Sequence, residues 1–406
     1  MADFEQLIET AIAENEIPGA VLQAVNRDGS FAYSKSFGKR SVREGGDRSP
    51  LTPSSIMWVA SCTKLMTSIC AMQLVERGVL SLDEPVYKHI PELKDFPIIT
   101  GFSADGKPIE TPHKNPITLR LLLCHSSGLT YDAMHPLAAA WSKYHGHDSG
   151  ASGKLLERFS CPLVFEPGTA WIYGASIDYA GLLIERATKK TLEEFMKENL
   201  WEPLGIKDMT FNLGRRPDLK VRFVDMSVRD ETTGKMRSTD ARHPYQDGNK
   251  DEVTDCMGGQ GIFTSPEEYI KVLQALLTCD ENEKILKKET LELFFSPQLS
   301  EGGIAMMSMI LSDPMANNAM GGVPQGVKKD WGLGGILLCG DDADGKREGT
   351  MIWGGLPNLI WFCDRKTGLC GIFSCQVLPT GDAKIAVLQR EFEAAMYKQY
   401  SKSRNV

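Results

Sequence analysis

The chain has 406 residues, of which 42% are hydrophobic, and a formal net charge of −8. This apolar content can fill the core of one large two-lobed domain or of two domains, and the acidic balance argues against nucleic acid as a partner. The N-terminus lacks the basic and apolar regions of a secretory signal, and no apolar run reaches about 18 residues. We therefore expect a cytoplasmic protein with no membrane span.

The chain offers no motif for a metal or a cofactor. None of its ten cysteines forms a Cys-x-x-Cys pair, and several stand in apolar runs. They are most simply buried, reduced thiols. The run Gly332-Leu333-Gly334-Gly335 does not match the dinucleotide fingerprint, and there is no P-loop. We expect neither a metal nor a cofactor.

The N-terminal part of the chain predicts a hairpin followed by helices. A helix at the N-terminus has Phe4, Leu7, Ile8 and Ile12 facing inward, and two β-rich runs around a turn predict a hairpin over 18–38. Residues 91–115 are predicted to form a loop, and residues 213–255 an extended loop or lid. Further helices are predicted near residues 86–90, 117–123, 137–144, 153–159, 176–187 and 191–200.

The C-terminal part changes from helices to strands. Helices are predicted from Pro266 to about Leu277 and over 289–295, and strands over 332–339, 350–353, 358–364 and 368–376, with a final helix over 383–400. Strands at both chain ends with helices between them favour an α/β (α+β) protein with an antiparallel sheet flanked by helices. The absence of regular βαβ units argues against a Rossmann-type sheet.

A single charged residue stands inside the apolar run that follows Val59. Ser61 lies three residues before Lys64, so both side chains project from one face of the predicted helix. A buried ammonium is costly unless it is paired or loses its proton. A hydroxyl beside such an amine at a helix N-terminus is a candidate nucleophile, with helix N–H groups available for an oxyanion. The alternative is a helix start with a lysine that reaches to solvent.

Competing candidates in the sequence are weaker. A second Ser-x-x-Lys match, Ser36 to Lys39, stands in a strand-like run, where the two side chains would point to opposite faces. Cys62 would point about 100° away from Ser61 around the helix. No Gly-x-Ser-x-Gly elbow accompanies the histidines, which disfavours a Ser-His-Asp triad. We expect His125 to be structural, bonded to a loop backbone.

Several separated motifs carry a family resemblance. Those at residues 17–20, 61–64, 80–85 and 118–129 resemble, in order, the serine β-lactamase-related esterases, a group that includes class C β-lactamases, DD-peptidases and family VIII carboxylesterases. Those at residues 166–175, 258–261 and 353–358 resemble the fungal polyketide acyltransferases of lovastatin (monacolin) biosynthesis. The resemblance implies a β-lactamase/transpeptidase-like fold in a single domain over 1–406. An α/β lobe would span about 1–85 and 262–406, and a mostly helical lobe about 86–261.

The resemblance also assigns roles to single residues. Ser61 would be the acyl-forming nucleophile, Lys64 would hold or relay its proton, and Tyr173 would be the general base, made acidic enough by Lys64. The N–H groups of Ser61 and Leu356 would form the oxyanion hole. Arg158, Tyr173 and Trp353 would contact substrate, although Trp353 and Trp331 could equally cover the sheet.

Two departures from the β-lactamase pattern bear on the substrate. The Tyr-x-Asn motif here reads Tyr173-Gly174-Ala175, and the third motif begins with Trp353 where the family has a cation. Both departures disfavour β-lactam hydrolysis and favour an ester or a thioester.

Three functional hypotheses follow from these observations. The first is an acyltransferase (transesterase) that moves an acyl group from a thioester or ester, with an acyl carrier protein as one candidate donor, to a natural-product alcohol of polyketide type. The second is a carboxylesterase with the same Ser-Lys-Tyr machinery. The third is a binding protein without catalysis, which the presence of Ser61, Lys64 and Tyr173 argues against.

Overall fold

The computed structural model of the protein describes residues 3–240, 243, 245, 246, 248, 249 and 252–404. The strands are β1 (Gly19–Asn26), β2 (Ala32–Gly38), β3 (Met57–Trp58), β4 (Pro97–Phe102), β5 (Pro108–Pro112), β6 (Met209–Thr210), β7 (Ser227–Arg229), β8 (Met236–Ser238), β9 (Phe263–Thr264), β10 (Lys329–Trp331), β11 (Ile336–Leu338), β12 (Met351–Gly355), β13 (Leu359–Asp364), β14 (Leu369–Ser374) and β15 (Val377–Leu378).

The helices connect and cover these strands. They are α1 (Asp3–Ala13), α2 (Thr63–Glu76), α3 (Leu119–Leu123), α4 (Pro136–His145), α5 (Leu155–Arg158), α6 (Ser176–Thr188), α7 (Leu192–Met196), α8 (Pro217–Lys220), α9 (Pro266–Asn282), α10 (Lys288–Phe294), α11 (Glu301–Leu311), α12 (Pro314–Ala319) and α13 (Ala383–Ser403). A π-helical turn, Lys197–Trp201, extends α7, and a 3₁₀ turn, Ala60–Cys62, precedes α2.

The main sheet joins both ends of the chain. Its seven strands follow the order β10-β11-β12-β13-β14-β1-β2, and all neighbours are antiparallel. The N-terminal hairpin therefore completes a sheet whose other strands come from the C-terminal part of the chain. The predicted antiparallel sheet is confirmed, and so are its hairpin and its C-terminal strands.

Helices cover both faces of this sheet. Cys363 and Cys370 are register partners on one face, where Cys363 Sγ lies 3.9 Å from the Leu273 carbonyl of α9. Phe373, on the opposite face because it is an odd number of residues away, packs against Phe392 of α13. Because both faces are covered, the central strands are buried along their whole length, which explains why they are almost wholly apolar in sequence.

Helix α2 lies at the centre of the molecule, packed against α6. Twelve of its residues, Thr63 to Leu74, are buried. The predicted burial of this helix on all sides is confirmed. Ser61 lies in the 3₁₀ turn just before α2, and its neighbour Ala60 has φ = +46°, a conformation that costs free energy for a residue with a side chain.

Several sequence predictions were wrong in detail. Residues 91–115 contain the hairpin β4–β5, and residues 213–255 contain β7, β8 and α8, where loops were expected. Leu7 is 46% exposed rather than buried, whereas Phe4 and Ile8 are buried as expected. Helices α11 and α12 were not anticipated, and the proposed division into two lobes stays a prediction.

All ten cysteines are free thiols, as the sequence predicted, and eight of them are buried. Among the residues that the structure describes, no helix combines the length and the apolar character needed to cross a membrane.

Candidate active site

The start of α2 places a hydroxyl beside a buried amine. Lys64 Nζ lies 3.4 Å from Ser61 Oγ, and it donates to the Gly259 carbonyl at 2.7 Å. Lys64 is fully buried, whereas Ser61 keeps partial exposure and faces a cavity. The spacing of three residues puts both groups on one face, as the sequence predicted.

The third group comes from a distant segment. Tyr173 stands three residues before α6, and its phenol donates to Ser61 Oγ at 2.5 Å. Lys64 Nζ lies 4.6 Å from the centre of the Tyr173 ring. Tyr173 can reach this position because Gly174 has no side chain, since a Cβ there would lie 2.3 Å from Thr130 Cα. The structure therefore brings Ser61, Lys64 and Tyr173 together.

Two further polar residues contact this group, and sequence reasoning missed both. Tyr131 accepts from Lys64 Nζ at 3.2 Å and donates to Asp178 Oδ2 at 2.9 Å. The other Asp178 oxygen accepts the Gly259 N–H at 2.9 Å. The only signal in the sequence was Asp178 within the otherwise apolar stretch of α6, where a buried carboxylate requires a partner.

Burial controls the protonation of the amine. Desolvation lowers the pKa of Lys64 to about 8, and the nearby Asp178 carboxylate and Cys62 oppose this. A substantial fraction of the amine is therefore neutral just above neutral pH, and this neutral form can accept a proton from Ser61.

The pKa of the Tyr173 phenol differs from the one that the sequence predicted. Burial raises the pKa of Tyr173 well above its usual value, and its hydrogen bond with Ser61 only partly offsets this. Lys64 was expected to lower this pKa enough for a phenolate base, and that expectation was wrong. The Tyr173 phenol donates its hydrogen bond to Ser61 Oγ, and Lys64 is the group whose pKa is lowered toward neutral pH, while the part that Tyr173 takes in proton transfer stays a prediction.

Ser61 and Tyr173 open onto a cavity of about 280 Å³ with mostly apolar walls. This is a volume that fits a small organic group, and the walls would exclude much of the water around it. The other lining residues are Trp58, Ala60, Tyr131, Met134, Ser149, Arg158, Phe159, Gln260, Ala319, Met320, Trp353, Gly354, Gly355, Leu356 and Thr380.

The end of β12 approaches the start of α2 closely. A Cβ on Gly355 would lie 2.3 Å from the Val59 carbonyl and 3.2 Å from Cys62 Sγ, so only glycine allows this contact. Ser61 and Leu356 both lie on the cavity wall as a result.

The remaining predicted residues fall into two groups. Arg158 and Trp353 line the cavity, and the Trp353 ring lies 5.1 Å from that of Tyr173, whereas Trp331 is not part of the lining. His125 is buried, and neither of its ring nitrogens meets a hydrogen-bond partner among the described residues, so the expected bond to a loop backbone was wrong. Its ring instead packs 4.8 Å from that of Tyr173.

Cys62, the thiol next to Ser61, is poorly placed to act as a nucleophile. Cys62 is fully buried behind Ser61, and burial raises the pKa of its thiol, which disfavours the thiolate. In the part of the chain that the structure describes, no cluster of three or more histidine, cysteine or acidic side chains could hold a metal ion.

Known proteins share this fold and much of this sequence. The profile of the beta-lactamase family matches residues 4–394. The chain is 40% identical to the ML-236A carboxylate methylbutanoyltransferase of Penicillium citrinum, over 98% of this chain and 94% of that protein. It is 36% identical to the lovastatin esterase of Penicillium rubens, over 98% of both chains. Unliganded simvastatin synthase from Aspergillus terreus superimposes with a TM-score of 0.86 at 36% identity, over 99% of this chain and 100% of that one.

The depressed pKa of Lys64 is directly measurable. With lysine labelled with ¹³C at Cε, NMR titration should show a resonance with a midpoint near 8, because burial disfavours the ammonium, well below the value of about 10.4 for a lysine side chain in water. The Lys64→Met variant should lack this resonance and keep the others. A spectrum in which every lysine titrates above 10 would contradict this account of the site.

Proposed function

Because the chain belongs to the beta-lactamase family, we propose that it is a serine-dependent acyltransferase that works through an acyl-serine intermediate. The donor is an ester or a thioester, and the acceptor is the hydroxyl of a polyketide-type alcohol, by analogy with the methylbutanoyltransferase of Penicillium citrinum. The observation that carries the proposal is the meeting of Ser61, Lys64 and Tyr173 on the wall of an apolar cavity.

In the first half-reaction, Ser61 attacks the donor carbonyl. Neutral Lys64 takes the Ser61 proton across 3.4 Å while Ser61 Oγ bonds to the carbonyl carbon. The bond to the leaving sulfur or oxygen then breaks, and the Tyr173 phenol, 2.5 Å from Ser61 Oγ, protonates the leaving group. The Lys64 ammonium returns a proton to Tyr173, so Lys64 is neutral again for the second half-reaction.

The second half-reaction reverses these roles. The acceptor hydroxyl occupies the place of the leaving group and gives its proton through Tyr173 to Lys64 while its oxygen attacks the acyl-serine. The bond from the carbonyl carbon to Ser61 Oγ then breaks, and Lys64 returns a proton to Ser61. One proton donor and one base therefore serve both steps, which makes transfer reversible in principle.

The negative charge on the carbonyl oxygen needs donors that are in place before the reaction. We assign this role to the backbone N–H groups of Ser61 and Leu356, and the assignment is supported by the position of both residues on the cavity wall and by the close approach of Gly355 to Val59. Loss of one such donor typically costs about 10²–10³-fold in rate.

Substrate contacts come from the same cavity wall. Trp353 offers an indole face to an acyl chain or to the acceptor ring system, and Arg158, a buried cation on the cavity wall, would contact a substrate carboxylate or carbonyl. An acyl carrier protein is one donor that fits this scheme, because it would deliver its thioester on a flexible arm that can enter a cavity.

Hydrolysis is the second candidate function. It needs the same three groups, with water as the acceptor, and the 36% identity to the lovastatin esterase of Penicillium rubens favours it. The apolar cavity favours transfer, since an apolar alcohol gains free energy by leaving water for these walls and water does not.

Mass spectrometry tests both functions together. On mixing with an activated thioester, the intact chain should gain one acyl group, and the Ser61→Ala variant should gain none because it lacks the nucleophile. Addition of a polyketide-type alcohol should then discharge the adduct into a new ester faster than water hydrolyses it.

The Ser36→Ala variant is the matched control for this experiment, because Ser36 begins the other Ser-x-x-Lys match, in β2. It should acylate like the unmodified chain. Absence of any adduct on the unmodified chain would exclude both functions. Discharge to free acid at the same rate with and without alcohol would leave only the esterase.

The Tyr173→Phe variant tests the proton donor. Removing the phenol should lower turnover by about 10²–10⁴-fold, because the leaving group then departs without its proton, while the fold remains. Turnover is measured with thioesters of rising leaving-group pKa, and the loss should grow along that series. Tyr33→Phe, which removes a hydroxyl bonded to Glu5 at 3.0 Å beside the sheet, is the control. Unchanged turnover in Tyr173→Phe would remove its role.

A further inference from the structure

We propose that Asp178 is a positioning residue that acts through Tyr131 and Gly259 to direct the lone pair of Lys64 toward Ser61. This inference deepens the proposed function and rests on it, because it concerns how the base of that reaction is oriented. It assigns a role to two residues, Tyr131 and Asp178, that lie outside the Ser-x-x-Lys and Tyr173 motifs.

Each oxygen of the Asp178 carboxylate accepts one hydrogen bond. Its Oδ2 accepts the Tyr131 O–H at 2.9 Å, and its Oδ1 accepts the Gly259 N–H at 2.9 Å. Asp178 is 0% exposed, so water does not compete for these bonds. One carboxylate therefore fixes the orientation of a phenol and of a backbone peptide group at the same time.

Both of these groups face Lys64. A phenol has one proton, and Tyr131 commits it to Asp178, so the phenol can offer only a lone pair to Lys64 Nζ at 3.2 Å. The Gly259 carbonyl accepts from the same nitrogen at 2.7 Å. Two acceptors thus stand in fixed places around the amine.

The direction of the lone pair follows from counting the N–H groups of the Lys64 amine. A neutral amine has two N–H groups and one lone pair, and the two fixed acceptors, Tyr131 and Gly259, take both N–H groups. The lone pair is left for the third neighbour, Ser61 Oγ at 3.4 Å. This is the arrangement in which Lys64 can accept the serine proton without first rotating.

Two glycines allow the backbone at residues 258–259 to approach this carboxylate. A Cβ on Gly259 would lie 2.3 Å from Asp178 Oδ2, and one on Gly258 would lie 3.1 Å from Gly181 Cα of α6. Gly259 therefore leaves no room for a side chain, and a side chain at position 258 would crowd α6. Asp178 itself projects from the first turn of α6, five residues after Tyr173, so a single helix start positions both Tyr173 and the carboxylate.

The charges around Lys64 set the expected pH response. Asp178 favours the ammonium form and therefore raises the pKa of Lys64 against the larger effect of burial. Burial also keeps the phenol of Tyr131 protonated by raising its pKa, as the hydrogen bond to Asp178 requires. The other titratable or charged groups that interact with this cluster are Cys62, His125, Arg158, Tyr173, Tyr179 and Tyr245.

The acylation rate of Ser61, measured as adduct formation against pH in single turnovers with an activated thioester, tests this inference. In Asp178→Asn, the amide N–H₂ can donate to Tyr131, whose proton is then free to turn toward Lys64 and compete for its lone pair. We expect the plateau rate to fall about 10–100-fold. We also expect the midpoint of the profile to move about one pH unit lower, because the anion that favours the ammonium is lost.

Tyr131→Phe tests the same arrangement without changing the charge. It removes one of the two acceptors, so an N–H of Lys64 can face Ser61, and the rate should fall about 10-fold with a smaller shift of the midpoint. The matched control is Tyr397→Phe, which breaks a buried tyrosine–carboxylate bond of 3.0 Å to Asp364 on the far side of the sheet. It should keep both the rate and the midpoint.

The outcomes separate this inference from the proposed function. In one outcome, the unmodified chain becomes acylated while folded Asp178→Asn keeps the same rate and the same midpoint. That result would overturn the positioning role of Asp178 and leave the acyltransferase function intact. A lower rate with an unmoved midpoint would also overturn it, because that is the response to a purely structural loss. If Asp178→Asn does not fold, unchanged acylation by Tyr131→Phe overturns the inference. No acylation of the unmodified chain would reject both.

Discussion

A lysine amine buried next to a serine hydroxyl is the constraint on which the rest of this structure depends. Lys64 has no exposed surface, and an ammonium in such a place is costly unless other groups bond to it. Three acceptors meet that need: Ser61 Oγ, the Tyr131 phenol and the Gly259 carbonyl. They come from segments far apart in the chain, so the fold must bring those segments together for the amine to be satisfied.

Glycines make this convergence possible. The loop of Tyr173 passes Thr130 at Gly174, the 258–259 segment passes Asp178 at Gly259, and β12 passes Val59 at Gly355. A Cβ at any of the three would lie 2.3 Å from a neighbouring atom, so each position requires a residue without a side chain. The geometry of the site therefore depends on close backbone approaches at three glycines as well as on the reactive side chains.

Much of this arrangement could be predicted from the sequence. The apolar run around Lys64 predicted a buried helix, and its spacing from Ser61 predicted a shared face. The strands β12, β13 and β14 were readable because they are fully buried and flanked by turn residues. Tyr173 required the order of several motifs, since a tyrosine after Trp171 has no local signal of its own.

The rest could not be predicted, for physical reasons. Asp178 and Tyr131 matter because of contacts between segments far apart in sequence, and hydrophobic periodicity says nothing about these. The β4–β5 hairpin lies at the surface among prolines and charges, so its strands lack an apolar alternation. The pKa of Tyr173 was expected to fall because the cost of burying a phenolate was left out. That cost raises the pKa by more than the hydrogen bonds from neighbouring side chains lower it.

The central claim is that neutral Lys64 is the base that activates Ser61, and the pH dependence of kcat/KM for an activated thioester tests it most directly. Because burial lowers the pKa of this lysine to about 8, kcat/KM should rise about tenfold per pH unit from pH 6 and level off above a midpoint near 8. A value that is constant between pH 6 and 9, or that falls with rising pH, would contradict the account.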